Sequence, residues 1–205
     1  MVFIMSSYVK RDSTTSPSNM IGNPFYYNWN VFQPEWAPPV QIGNCTWYAW
    51  GRFWEISGAT SSTEKRPTLS TSNAEDWWGY TRDGYERGQI PKLGAVLCFR
   101  DGAYSGWGHV AIVEEIEGDG SIWTSESALN GYYFQYRKRR PPDYAYDPDD
   151  QYIFQGFIYN PYAGDTPGTK IKPWLLSALI RRKRRNDIGK SRLTYAVWNR
   201  KSLQL

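Results

Sequence analysis

The sequence predicts an α+β fold, with N-terminal helices packed on an antiparallel sheet of about five strands. Three observations lead there. Residues 44–57 carry Trp47, Trp50 and Phe53 or Trp54 at spacings of three and four, between a polar cap and Gly58, which is the pattern of an amphipathic helix. Beyond residue 95 that period gives way to short β-branched and aromatic runs separated by Gly, Asp and Pro turns. Helical signals first and strand signals after favour α+β over an alternating order.

With 205 residues the chain can bury one full core and still have room for tails. Eleven Trp and sixteen Tyr exceed what such a core needs, so some of these rings are expected to line an open groove, where flat faces stack on sugars or peptide bonds. The net charge of +4 is uneven: residues 163–205 hold 11 Lys and Arg against 2 acids, while residues 1–162 hold 13 against 18. The basic character therefore belongs to the end of the chain.

Residues 1–19, rich in Ser and Thr without sustained periodicity, are expected to be a flexible lead-in. From residue 21 to 42 the chain is aromatic and broken by Pro24, Pro34, Pro38 and Pro39, which implies an irregular segment laid over the domain. Gly43 and Asn44 then provide a turn and an N-cap, and Cys45 falls at the first helical position. Ser72-Asn73-Ala74-Glu75 has the capping-box spacing and predicts a second, short helix through Trp77 and Trp78.

Residues 95–99 form an apolar run expected to be a buried strand, with Cys98 in the core. Residues 109–116, 121–126, 132–138 and 152–159 complete the predicted sheet, read as a meander. Cys45 and Cys98 lie in different elements and make no disulfide framework.

Three residues carry the chemistry. A thiol at a helix N-terminus feels the positive end of the helix dipole, and a nearby imidazolium lowers its pKa further. Cys45 is thus a candidate nucleophile, against the plainer reading of a small buried hydrophobe. His109, the only histidine, begins the strand at 109–116, and Glu126 ends the next one. If the loop between those strands has an even number of residues, His109 and Glu126 share a face; an odd loop or a bulge would separate them. In such a set the histidine takes the thiol proton and later protonates the leaving amine, and the carboxylate orients the imidazole. Trp107, Trp47 and Trp50 are candidate substrate-binding walls, with core packing as the alternative.

Gly43-Asn44-Cys45-Thr46-Trp47-Tyr48-Ala49 and Gly108-His109-Val110-Ala111-Ile112-Val113 resemble the cysteine, histidine-dependent amidohydrolase/peptidase (CHAP) domains of bacterial and bacteriophage peptidoglycan hydrolases. Leu93-Gly94-Ala95-Val96, Thr124-Ser125-Glu126-Ser127 and Gln155-Gly156-Phe157-Ile158-Tyr159 add to the resemblance, which covers residues 23–161. It implies a papain-like fold, a catalytic Cys45 and His109, and Glu126 as the third residue. Two departures stand out. Many phage relatives carry an asparagine two residues past the acid, where this chain has Ala128. Some bind calcium through an acidic loop before the cysteine, but residues 24–44 hold only Glu35, so neither a metal nor a cofactor is expected.

The expected organisation is a lead-in at 1–19, a catalytic domain at 20–162 and a linker with a basic tail at 163–205. The tail's apolar run, residues 173–180, is far shorter than the roughly 20 residues that span a bilayer. Its Arg181-Arg182-Lys183-Arg184-Arg185 could meet an anionic wall polymer, a membrane surface or nucleic acid. No signal peptide is visible, which implies synthesis in a host cytoplasm and action at the wall after release or within a phage particle. The resemblance implies an enzyme that cuts an amide bond of peptidoglycan, as an N-acetylmuramoyl-L-alanine amidase or a stem or bridge endopeptidase. The alternatives are a particle or envelope component that binds wall with little turnover, and a nucleic-acid binder driven by the tail.

Overall fold

The computed structural model describes residues 8–12, 20, 22–32, 43–102, 106–127, 134–145 and 152–164. Within them lie one α-helix, α1 (Cys45–Ile56), and six strands: β1 (Arg87–Gly88), β2 (Val96–Asp101), β3 (His109–Ile116), β4 (Ile122–Glu126), β5 (Gln135–Arg139) and β6 (Tyr152–Ile158). All pairings are antiparallel, in the order β1-β6-β2-β3-β4-β5. The meander expected from the sequence holds for β2 to β5. The last strand instead returns to the far side of β2, and the two-residue β1, too short to leave a sequence signal, adds a sixth strand beside it.

Both faces of the sheet are covered. Val96, Cys98, Val110, Ile112 and Ile158 face α1 and pack with Trp47, Trp50 and Phe53. Alternate residues, among them Leu97, Phe99, Ala111, Val113 and Phe157, form a second core with Tyr144 and Phe154 on the other face. Cys98 is fully buried, as expected, and burial pushes its thiol pKa well up.

α1 begins as the sequence predicts. The Asn44 side chain accepts the Trp47 amide at 3.3 Å, and Gly58 ends the helix by donating its amide to the Glu55 carbonyl. The helix is not amphipathic in the expected way, however, because every residue from Thr46 to Trp54 is buried. One side faces the sheet; the other lies under residues 20–32, with Tyr26 and Tyr27 against Trp47 and Phe25 and Trp29 against Trp54.

The second predicted helix is only a 3-10 turn, Ala74–Asp76. The Glu75 carboxylate, which a capping box would turn back on Ser72, instead accepts the Asp101 amide at 3.4 Å, so the reciprocal cap never closes.

Residues 8–12, inside the expected lead-in, are engaged with the domain. Tyr8 donates to Glu114 at 2.5 Å, the Arg11 amide donates to the same carboxylate at 3.0 Å, and Arg11 Nη2 reaches Glu55 at 2.7 Å. The buried Glu114 is what holds them. It also accepts Arg52 Nε and Nη2, each at 2.9 Å, and Ser125 Oγ at 2.6 Å, so α1, β3, β4 and the N-terminal segment meet at one carboxylate. The basic tail, from residue 165 on, lies outside the described residues.

Candidate active site

The approach to Cys45 is fixed from both sides. A Cβ at Gly43 would sit 2.4 Å from the Trp47 ring, so only glycine lets the chain pass there. The Gly43 carbonyl accepts Ser127 Oγ at 2.6 Å, which ties the residue chain just before the cysteine to the end of β4. Cys45 is a free thiol and partly exposed.

His109 opens β3 after a constrained turn. Gly108 has φ +63, and a Cβ there would meet the Glu75 amide and the Phe99 carbonyl at 2.5 and 2.6 Å. The neighbouring backbone is pinned to the 3-10 turn: the Trp107 carbonyl accepts the Glu75 amide at 3.2 Å, and Asn73 Nδ2 donates to the Gly106 carbonyl at 2.8 Å. The imidazole, 2 % exposed, lies 5.7 Å from the Tyr152 ring and places Nε2 at 2.6 Å from Glu126 Oε2. Its other edge bonds the Cys45 sulfur, so Nδ1 is the nitrogen left for the thiol.

The electrostatics follow from these contacts. Burial alone would raise the Cys45 pKa, but the His109 charge, the hydrogen bond from the imidazole and one from the Val110 amide outweigh it, and the thiol pKa is lowered. Burial would discharge His109, yet Cys45 and Glu126 overcome it and hold its pKa up at about 9. For Glu126, burial is opposed by Arg139 and then His109, which hold it down at about 2. The contacts favour a thiolate beside an imidazolium, backed by a carboxylate. Such a sulfur attacks carbonyl carbon, and such an imidazolium can protonate a leaving amine.

The structure thus brings Cys45, His109 and Glu126 together and leaves two of the three candidate tryptophans out. Trp47 and Trp50 are core residues, not groove walls, at 0 % and 2 % exposure. Trp47 donates its indole N–H to the Tyr26 carbonyl, and Trp50 packs edge-on against Phe32 at 5.9 Å. The aromatic segment before the cysteine covers the very helix face that the sequence reading left open. Trp107 is different: next to His109, it is 68 % exposed.

Arg139 is a site residue that the sequence reading missed. It is 1 % exposed, and its Nη2 donates to both Glu126 oxygens, at 3.0 and 2.8 Å. It sits in a Lys and Arg run that looks like a solvated face. The alternation of β5, with Gln135 opposite Glu126, is the one sequence-level signal that would have turned it inward.

A helix presenting a cysteine to a histidine and a carboxylate on an antiparallel sheet assembles the groups that thiol acyl transfer requires. Residues 36–128 match the CHAP domain family. Over 85 residues, 41% of this chain and 28% of the relative, it is 39% identical to a probable autolysin, SsaALP, of Staphylococcus aureus (strain NCTC 8325 / PS 47). It is 33% identical over 96 residues to an N-acetylmuramoyl-L-alanine amidase domain-containing protein of the same strain, covering 45% of this chain and 14% of that one. It is also 36% identical over 85 residues to the staphylococcal secretory antigen ssaA2, covering 41% and 27%. The chain therefore spans less than a third of the length of these relatives. A solved N-acetylmuramoyl-L-alanine amidase from Staphylococcus aureus aligns with 58% of this chain and 32% of its own, at 27% identity and a TM-score of 0.38.

Proposed function

We propose that this chain hydrolyses an amide bond of bacterial peptidoglycan by a thiol mechanism, as an N-acetylmuramoyl-L-alanine amidase or a stem or bridge endopeptidase. The observation that carries the proposal is the contact of the Cys45 sulfur with the sole histidine, whose far nitrogen lies 2.6 Å from Glu126. The CHAP match and the autolysin and amidase names of the relatives support the wall as substrate.

In this reading the Cys45 thiolate attacks the amide carbon, and amides of the first turn of α1 receive the oxyanion. The tetrahedral intermediate collapses as His109 gives the Nδ1 proton to the leaving amine, which departs and leaves a thioester. His109, now neutral, takes a proton from water, and the hydroxide cleaves the thioester to a carboxylic acid and restores the thiolate beside the imidazolium. Glu126 holds the imidazole with Nδ1 toward sulfur and steadies its charge at both stages. A phage or prophage lytic enzyme is the biological setting we favour, with the wall reached after release or from a particle, and the basic tail as an anchor to anionic polymer.

The test is incubation of the protein and of Cys45→Ala with peptidoglycan from several bacteria, reading new amines and fragment masses. Release by the wild type alone supports the mechanism, and the masses name the bond. If both proteins bind wall and neither releases amines, the chain is a binder instead.

Trp107 is the groove wall in this scheme. Its main chain is pinned while its ring is displayed, so Trp107→Ala is expected to raise the half-saturating wall concentration about tenfold, the loss of one aromatic contact of about 1.4 kcal/mol. Thermal stability should move little. An equal loss of stability and binding would make Trp107 a packing residue.

A further inference from the structure

Arg139 is more completely held than a charge-balancing residue needs to be. Besides its two bonds to Glu126, Nε donates to Thr124 Oγ1 at 3.1 Å, Nη1 donates to the Tyr144 carbonyl at 3.2 Å, and the guanidinium lies over the Phe99 ring at 5.1 Å. Burying a guanidinium and a carboxylate together rarely adds net stability over apolar side chains of the same volume. One nitrogen bonded to both oxygens, on a planar guanidinium whose other two nitrogens are anchored to Thr124 and Tyr144, does, however, fix the plane of the carboxylate.

We propose that Arg139 is a positioning residue for the thiol site, acting through Glu126 by orienting its carboxylate so that Oε2 receives the His109 Nε2–H. The inference rests on the functional reading above and deepens it. Glu126 has a free choice of torsion about its last bond, and His109 touches only one of its oxygens. The two bonds from Arg139 Nη2 remove that choice and keep the acid ionised, so the imidazole is held by a fixed anion.

The charged and titratable groups facing His109 and Glu126 are Cys45 from α1, Arg137 and Arg139 from β5, and Tyr152 from β6. Arg137 stands off at 3.8 Å from Glu126 Oε1, so it adds to the field without gripping the carboxylate. Removing the Arg139 cation leaves Glu126 answering to His109 and the more distant Arg137, which stabilises the imidazolium and destabilises the thiolate.

Because His109 is the only histidine, its ring signals in an NMR pH titration of the full chain are unambiguous. In Arg139→Met the midpoint should move up by about one pH unit. The maximal rate of amine release from peptidoglycan should fall about tenfold or more, with the half-saturating concentration little changed. In Arg139→Lys the ammonium restores the charge, so the midpoint returns toward the wild-type value, but it lacks the Thr124 and Tyr144 bonds that hold Nη2 in the carboxylate plane, and the maximal rate stays low. A wild-type midpoint in Arg139→Met together with a lowered melting temperature would reduce Arg139 to a structural prop. If Arg139→Met fails to fold, Arg139→Lys decides: a wild-type maximal rate overturns the proposal. Should the wild type release no amines at all, the functional reading fails, while the titration still reports whether Arg139 governs His109.

Discussion

Replacing His109 with alanine is expected to lower amine release from peptidoglycan by about 10⁴-fold or more. The loss has two parts. The leaving amine loses its proton donor, and Cys45 loses the cation that offsets its burial, so its pKa rises and the thiolate is disfavoured. The fold should survive, because Glu126 keeps its two bonds from Arg139 and no buried charge is left alone. Rates should therefore collapse while circular dichroism and melting temperature stay close to wild type. Activity that persists within tenfold in His109→Ala would place the proton transfer elsewhere.

The largest stability effect is expected from Arg52→Met. Arg52 and Glu114 are both buried and joined at 2.9 Å through two nitrogens and both carboxylate oxygens. Removing the guanidinium leaves the carboxylate with only Tyr8, Ser125 and the Arg11 amide, none of them charged donors. Breaking such a pair costs about 3–5 kcal/mol, which for a domain of this size lowers the melting temperature by roughly 10 °C. Adding Glu114→Leu to Arg52→Met removes the unpaired charge but strands the Ser125 hydroxyl and the Arg11 amide, so it should recover only part of the loss. Chemical denaturation reads both variants, and a single-variant loss under about 1 kcal/mol would show that the pair is dispensable.

Glu114 also explains how far the site was legible. Parity placed His109 and Glu126 on one face only if their hairpin had an even loop and no bulge. The structure has neither. Ile116 pairs with Ile122 across an odd connection, residues 117–121, and the register then shifts by one at Glu114, so that Val113 faces Thr124. The two irregularities cancel, and His109 and Glu126 end on the same face as diagonal neighbours. No local signal foretells the bulge, because what retains it is the bond of Glu114 to Arg52, 62 residues away in the chain.

Other readings succeeded or failed by the same rule. The start of α1 is local chemistry, and Asn44 and Gly58 announce it. The position of Cys98 follows from a short apolar run whose period needs no partner. Trp47 and Trp50 were misplaced because their outer faces are covered by residues 20–32, an irregular segment whose resting place depends on ring contacts that composition does not encode. Arg139 was missed because one basic residue in a basic run looks like its neighbours until the strand pairing turns it inward.

The claim on which the rest depends is that Cys45 is a thiolate made by its contact with His109. The rate at which iodoacetamide alkylates Cys45, followed against pH by mass spectrometry, tests it without any assumption about substrate. The account predicts rapid modification of Cys45 well below pH 8.5, about where an ordinary thiol ionises, with Cys98 untouched because it is buried and its pKa is raised. In His109→Ala the onset should move up in pH. A wild-type profile that rises only near pH 8.5 or above, unchanged by the loss of His109, would contradict the thiolate and the mechanism built on it.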